Sequence, residues 1–121
     1  TLEAFDHRAA STPPGPGRAT AAAHAEHLRY SLELANRALR GEDPYSSADW
    51  KASWARQTVD AAAWTSLREA IHAEYRNLRA AVADSPAWAE QQEALTGVLA
   101  VIAHTAYHLG AIRQLLRLVT H

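Results

Sequence analysis

Residues 95–119 read LTGVLAVIAHTAYHLGAIRQLLRLV, and the spacing of the apolar side chains in this stretch decides the fold class. Leu95, Val98, Ile102, Leu109, Ile112, Leu116 and Val119 mostly recur three or four positions apart. That is the period of one helical face, in the three-four form that suits helices packed about 20° from antiparallel. Ser85-Pro86 offers a cap followed by a proline at the first helical position, so the helix is expected to start there and run to Val119. Upstream, Trp64, Leu67, Ile71, Tyr75, Leu78 and Val82 repeat the pattern over 58–83, with Thr58 as the expected cap. Leu28, Leu32, Ala35 and Leu39 form a third stripe over 20–40. Thr20 stands where it can cap this helix, and Gly41 where it can end it in a left-handed turn.

The intervening segments are not helical in pattern. Pro13, Pro14, Gly15, Pro16 and Gly17 forbid a helix and leave only a stub, residues 1–8, before them. Residues 41–57 form a long connection with turn chemistry at Asp43-Pro44. Trp50 and Trp54, four apart, suggest one short helical turn within it, packed by its own side chains. With no strand-like alternation and no internal repeat, the expected architecture is all-α. It is a single domain over 1–121, an antiparallel up-down four-helix bundle whose first helix is short or incomplete.

Composition excludes several function classes. The 121 residues are 48% hydrophobic and 21% charged, as in an ordinary globular domain. A net charge of −1 weighs against nucleic acid as a partner. No apolar run reaches 18 residues, so no transmembrane helix and no membrane partner are expected. The absence of cysteine removes disulfides, thiolate metal sites and cysteine nucleophiles, and is consistent with a cytoplasmic location. The chain opens on Thr1 and contains no methionine, so a longer translated product is expected. Lys51 is the only lysine against eleven arginines, which suggests the codon usage of a GC-rich bacterial source.

Seven histidines are many for this length. His7, His72 and His121 read as solvated surface: one lies in the stub, one beside the Ile71 stripe, one at the end of the chain. The other four form two pairs. His104 and His108, four apart, stack on one side of their helix, with His108 at the edge of the apolar arc near Val101, Ile112 and Leu115. His24 and His27, three apart, share the side of Leu28, Ser31 and Ala35. Burying several imidazoles together is costly unless both nitrogens of each ring find partners, and protonation would set like charges side by side. A metal ion resolves this by binding one nitrogen of each neutral ring while a neighbouring group takes the other. The spacing alone leaves open a hydrogen-bonded core pair or a solvated edge.

The segment His104-Thr105-Ala106-Tyr107-His108-Leu109-Gly110-Ala111-Ile112-Arg113-Gln114-Leu115 resembles the last-helix motif of the DinB/YfiT-like family of metalloenzymes. His24-Ala25-Glu26-His27-Leu28 is similar to the family's other histidine position. Gly41-Glu42-Asp43-Pro44 with Asp49-Trp50 is similar to the connection that follows. The resemblance spans about 19–116. It implies a four-helix bundle, often a homodimer, with a divalent metal, zinc or nickel first, held by three histidines. Carried over, these are His27, His104 and His108, with His24 as alternate ligand or as a group behind the ligands. It further implies a small-molecule substrate and a transferase or isomerase that activates bacillithiol, mycothiol or glutathione, or a hydrolase that activates water. The rival is a non-catalytic metal-binding or dimerisation module in stress response. Tyr107 reads as packing or interface, Arg113 as the partner of a carboxylate, and Glu42, Asp43 and Asp49 as turn and capping residues. Trp50 and Trp54 read as cover for the end of the bundle rather than as a roof over the site.

Overall fold

A computed structural model describes residues 1–84 and 90–120, and its regular structure is entirely helical among them. The helices are α1 (His7–Ala10), α2 (Ala21–Leu39), α3 (Ala61–Asp84) and α4 (Gln92–Val119), with single 3-10 turns at Leu2–Ala4, Tyr45–Ser47 and Ala52–Trp54. The expected helix start at Ser85-Pro86 lies outside the described residues, as does His121.

Local chemistry sets the helix ends. Thr20 caps α2 as expected: its Oγ1 accepts from the amide of Ala23 at 3.2 Å and donates to the carbonyl of Gln57 at 2.8 Å. At the other end Gly41 takes φ +87°. Its amide bonds the carbonyl of Ala38, and the Glu42 amide reaches back to Arg37, which satisfies two carbonyls left over by the last turn. Helix α3 corrects the sequence reading. Its cap is Asp60, whose Oδ1 accepts from the amide of Ala63 at 2.8 Å, and not Thr58. A capping side chain must stand directly before the first helical residue, here Ala61, and Thr58 stands too early.

Chain direction is the larger correction. Thr20 pairs with Gln57 and Asn36 with Glu74, so α2 and α3 run parallel. His24 faces His108 and His27 faces His104, so α2 and α4 run antiparallel. The up-down order expected from the sequence therefore holds for only one of the two pairs. The connection between α2 and α3 explains the difference: it retraces the roughly 28 Å length of α2 before α3 begins. Helix α2 is consequently the shared partner of both other long helices.

The core forms where they meet, from Leu28, Leu32, Trp64, Leu67, Ile71, Ile112 and Leu115. Phe5 and Ala10 extend it, and the Trp64 indole donates to the carbonyl of Phe5 at 2.9 Å, which fixes the N-terminal segment on α3. That segment supplies one 3-10 turn and four residues of α-helix, so the first helix is as short as the sequence indicated. Helix α4 buries His108, Ile112 and Leu115, while Leu99 and Ile102 stand 57% and 60% exposed. By length and composition α4 is apolar enough to cross a membrane, with a mean hydropathy of 1.5 over its most apolar window. His104, Thr105 and His108 interrupt its apolar sequence, so it contains no unbroken apolar run of 18 residues.

The cap assignment is checked by chemical denaturation. Asp60→Ala should cost about 1 kcal/mol, whereas Thr58→Ala should stay within about 0.5 kcal/mol of the parent.

Candidate metal centre

The antiparallel register of α2 and α4 brings four imidazoles together. The Nε2 of His104 lies 3.2 Å from the Nε2 of His27 and 3.0 Å from the Nε2 of His108. All three rings offer a nitrogen within 4.8 Å of the others. His24 does not join this convergence. Its Nδ1 lies 3.0 Å from the Nδ1 of His108, on the outer side of that ring. The structure thus separates the two α2 histidines: His27 faces the cluster, and His24 backs His108.

A residue absent from the sequence reading completes the arrangement. Ser53, buried in the Ala52–Trp54 turn, lies with its Oγ 2.7 Å from the Nδ1 of His27 and donates its own proton to the carbonyl of Trp50 at 2.7 Å. With that proton committed, the Oγ accepts from His27, so the His27 proton sits on Nδ1 and its Nε2 is a bare lone pair aimed at His104. The signal in the sequence was faint: a small hydroxyl between two tryptophans in a predicted helical turn.

Protons cannot satisfy this cluster. If His104 donates through Nε2 to His27, its contact with His108 has no hydrogen. If His108 donates to His104, the contact with His27 has none. Neutral rings therefore satisfy one of two N···N contacts near 3 Å, and the environment resists further protonation. Burial, with the neighbouring imidazoles His104 and His24, depresses His27 to about 4. Burial, with His104, His24 and His27, depresses His108 to about 3. Burial also lowers His24 and His104. A cation fits where protons do not. Three nitrogens of a tetrahedral site with bonds of about 2.0–2.1 Å lie about 3.3 Å apart, close to the 3.2 and 3.0 Å that separate His104 from His27 and His108. The three-histidine cluster thus fits a metal-binding site by distance, lone-pair direction and the hydrogen bond behind His27.

The tryptophans cover the histidines, against the expectation that they would merely close the bundle end. Trp54 stacks on His27 with ring centroids 4.2 Å apart and planes 20° from parallel, and it meets His24 edge-on at 5.0 Å. Trp50 lies 5.8 Å from His27. Asp49 acts as the expected cap, accepting from the amide of Ala52 at 2.9 Å, and Glu42 pairs with Arg37 and Arg40. Tyr107 is 68% exposed, with its ring edge-on to His108 at 5.1 Å. Arg113 is exposed, and no carboxylate pairs with it among the described residues, contrary to expectation. His72 is exposed and lies 3.2 Å from Glu3, away from the cluster, while His7 is half-buried in α1.

A profile described as the DinB superfamily matches residues 1–112. The chain belongs to the DinB superfamily. No similarity to a curated protein or to a solved structure was found. Membership and the histidine cluster agree: the DinB domain here presents its paired last-helix histidines to a third from α2.

Because His27 and His108 bind protons less readily in the folded chain than in the unfolded one, acid works against folding. The unfolded state carries more protons as pH falls below about 6.5, so stability drops on acidification through that point. Metal-free protein should melt at a lower temperature at pH 5 than at pH 7. An unchanged midpoint would mean that the rings protonate as readily folded as unfolded.

Proposed function

We propose that this DinB domain is a divalent-metal-dependent enzyme whose ion is held by the Nε2 atoms of His27, His104 and His108. The observation that carries the reading is the His27–Ser53 hydrogen bond, which leaves a bare nitrogen lone pair facing two further imidazoles. Three ligands leave a coordination position open, the arrangement of catalytic rather than structural zinc. Zinc or nickel is the expected ion. When bound, it supplies Lewis acidity that lowers the pKa of a thiol or water at the open position.

The chain's own residues do the rest. Ser53 fixes the tautomer and orientation of His27. His24 engages the outer nitrogen of His108. Trp54 and Trp50 cover His27 and exclude water from its side of the cluster. The nucleophile we favour is a low-molecular-weight thiol, which makes the reaction an S-transfer or a thiol-assisted isomerisation, with water and hydrolysis as the alternative. Among the described residues no other group near the cluster offers a general base.

A second reading, a non-catalytic metal-binding or dimerisation module, draws on the uncovered apolar side of α4, where Leu99, Ile102 and Leu109 are exposed. On this reading the homodimer implied by the family resemblance would form through that face, and the partner copy would supply the wall that completes a four-helix bundle.

Metal analysis of the purified protein tests both readings. The enzyme reading expects one divalent ion per chain, a lower melting temperature with chelator, and a coordination position that accepts added thiol. The association reading expects a filled shell or no ion. His104→Ala and His108→Ala should each abolish metal binding and His72→Ala should not. Metal retained by either of the first two, or lost by the third, refutes the ligand assignment. Ser53→Ala, which removes the acceptor behind His27, should weaken metal affinity about 10- to 100-fold.

A further inference from the structure

Beside the histidine cluster lies an open cleft of about 760 Å³, bordered by the 14–19 segment, His24, Trp54 and the last turns of α4. Its volume is that of a small-molecule site. Its walls are aromatic and apolar: Trp54 on one side, Tyr107, Leu115 and Leu118 on another. One charged side chain, Arg18, lines it, and Arg18 also borders the adjoining cavity of about 510 Å³. No carboxylate lines the cleft, and none pairs with Arg18 among the described residues.

A tight turn holds the backbone at Arg18. Its amide donates to the carbonyl of Gly15 at 3.2 Å, closing a four-residue turn with Pro16 second and Gly17 third. Gly17 takes φ +67°, the conformation that third position requires in a type II turn and that an L side chain resists. The stem of Arg18 folds back over Gly15, where an added Cβ would stand 3.8 Å from its Cγ. Proline and glycine thus fix the backbone at Arg18 beside the cleft, and the Arg18 side chain itself is exposed there. Helix α2 begins three residues later and adds positive potential at the same end.

We propose that this cleft binds a small organic carboxylate, its acid group paired with the Arg18 guanidinium and its apolar body laid against Trp54 and Tyr107. A guanidinium presents two parallel N–H groups that match two carboxylate oxygens. A phosphate ester carries more charge than one arginine offsets, and no lysine or second arginine lines the cleft, whose further polar side chains include His24 and Gln114. His24 forms part of the cleft wall and contacts His108, so a ligand there lies against the ring that backs the cluster. Naming this carboxylate a substrate rests on the metal-enzyme reading above. Its binding does not.

Fluorine NMR with 4-fluorophenylacetate, 4-fluorophenylacetamide and 4-fluorophenyl phosphate tests the assignment on metal-free and metal-loaded protein. The acid should bind the metal-free protein about tenfold more tightly than its amide, the contribution of one charge-assisted pair. Arg18→Gln should abolish that preference, and Arg113→Gln, an exposed arginine outside the cleft, should leave it intact. Equal binding of acid and amide, tighter binding of the phosphate, or a preference that survives Arg18→Gln each overturn the proposal. A preference present only in metal-loaded protein and kept by Arg18→Gln would place the acid on the ion, overturning this inference while sparing the metal site. Arginine-dependent binding to protein that takes up no metal would support the cleft and refute the metal reading.

Discussion

Two bare imidazole nitrogens repel at 3 Å unless a proton or a cation lies between them. The arrangement of α2, α4 and the connecting loop makes sense only with that constraint in view. Ser53 spends its one hydroxyl hydrogen on the carbonyl of Trp50 and so can only accept from His27. The direction of a single hydrogen bond in a loop thereby fixes where the lone pair of His27 points. With His104 and His108 converging on the same spot, the cluster holds one more N···N contact than protons can serve.

The fold delivers these groups through register rather than through any unusual local geometry. An antiparallel α2–α4 pair sets His24 opposite His108 and His27 opposite His104, each at hydrogen-bond distance. The parallel α2–α3 pair does different work. It requires the chain to retrace α2 between the two helices, and that return path carries Trp50, Ser53 and Trp54 over the histidines. The topology that departs from a simple up-down bundle is thus the one that provides the site's cover and its tautomer control.

Much of this was legible in the sequence, and the rest was hidden for identifiable reasons. The i, i+4 pair of His104 and His108 is a local property of a helix, so its placement followed from periodicity. His24 and His27 sit three apart on one face, and only the rotation and height of α2 against α4 decide which points into the cluster. The family resemblance favoured His27, and His27 is the α2 histidine whose Nε2 lies 3.2 Å from that of His104. Helix direction across a long connection is not written in periodicity, because a loop of some twenty residues can either turn back or run the length of a helix. The choice between Thr58 and Asp60 as cap turned on where α3 begins, a boundary that shifts by a few residues in any reading of pattern. Tryptophan spacing identified a short turn but not what it would cover.

Helix α4 is joined to the rest of the chain largely along one seam with α2, and the histidines occupy the middle of that seam. A cation seated there would act as a rivet between α2 and α4. The grip of the C-terminal helix on the domain and the occupancy of the histidine cluster would then be linked, so that extracting such an ion would also loosen the segment that carries two of the three clustered imidazoles.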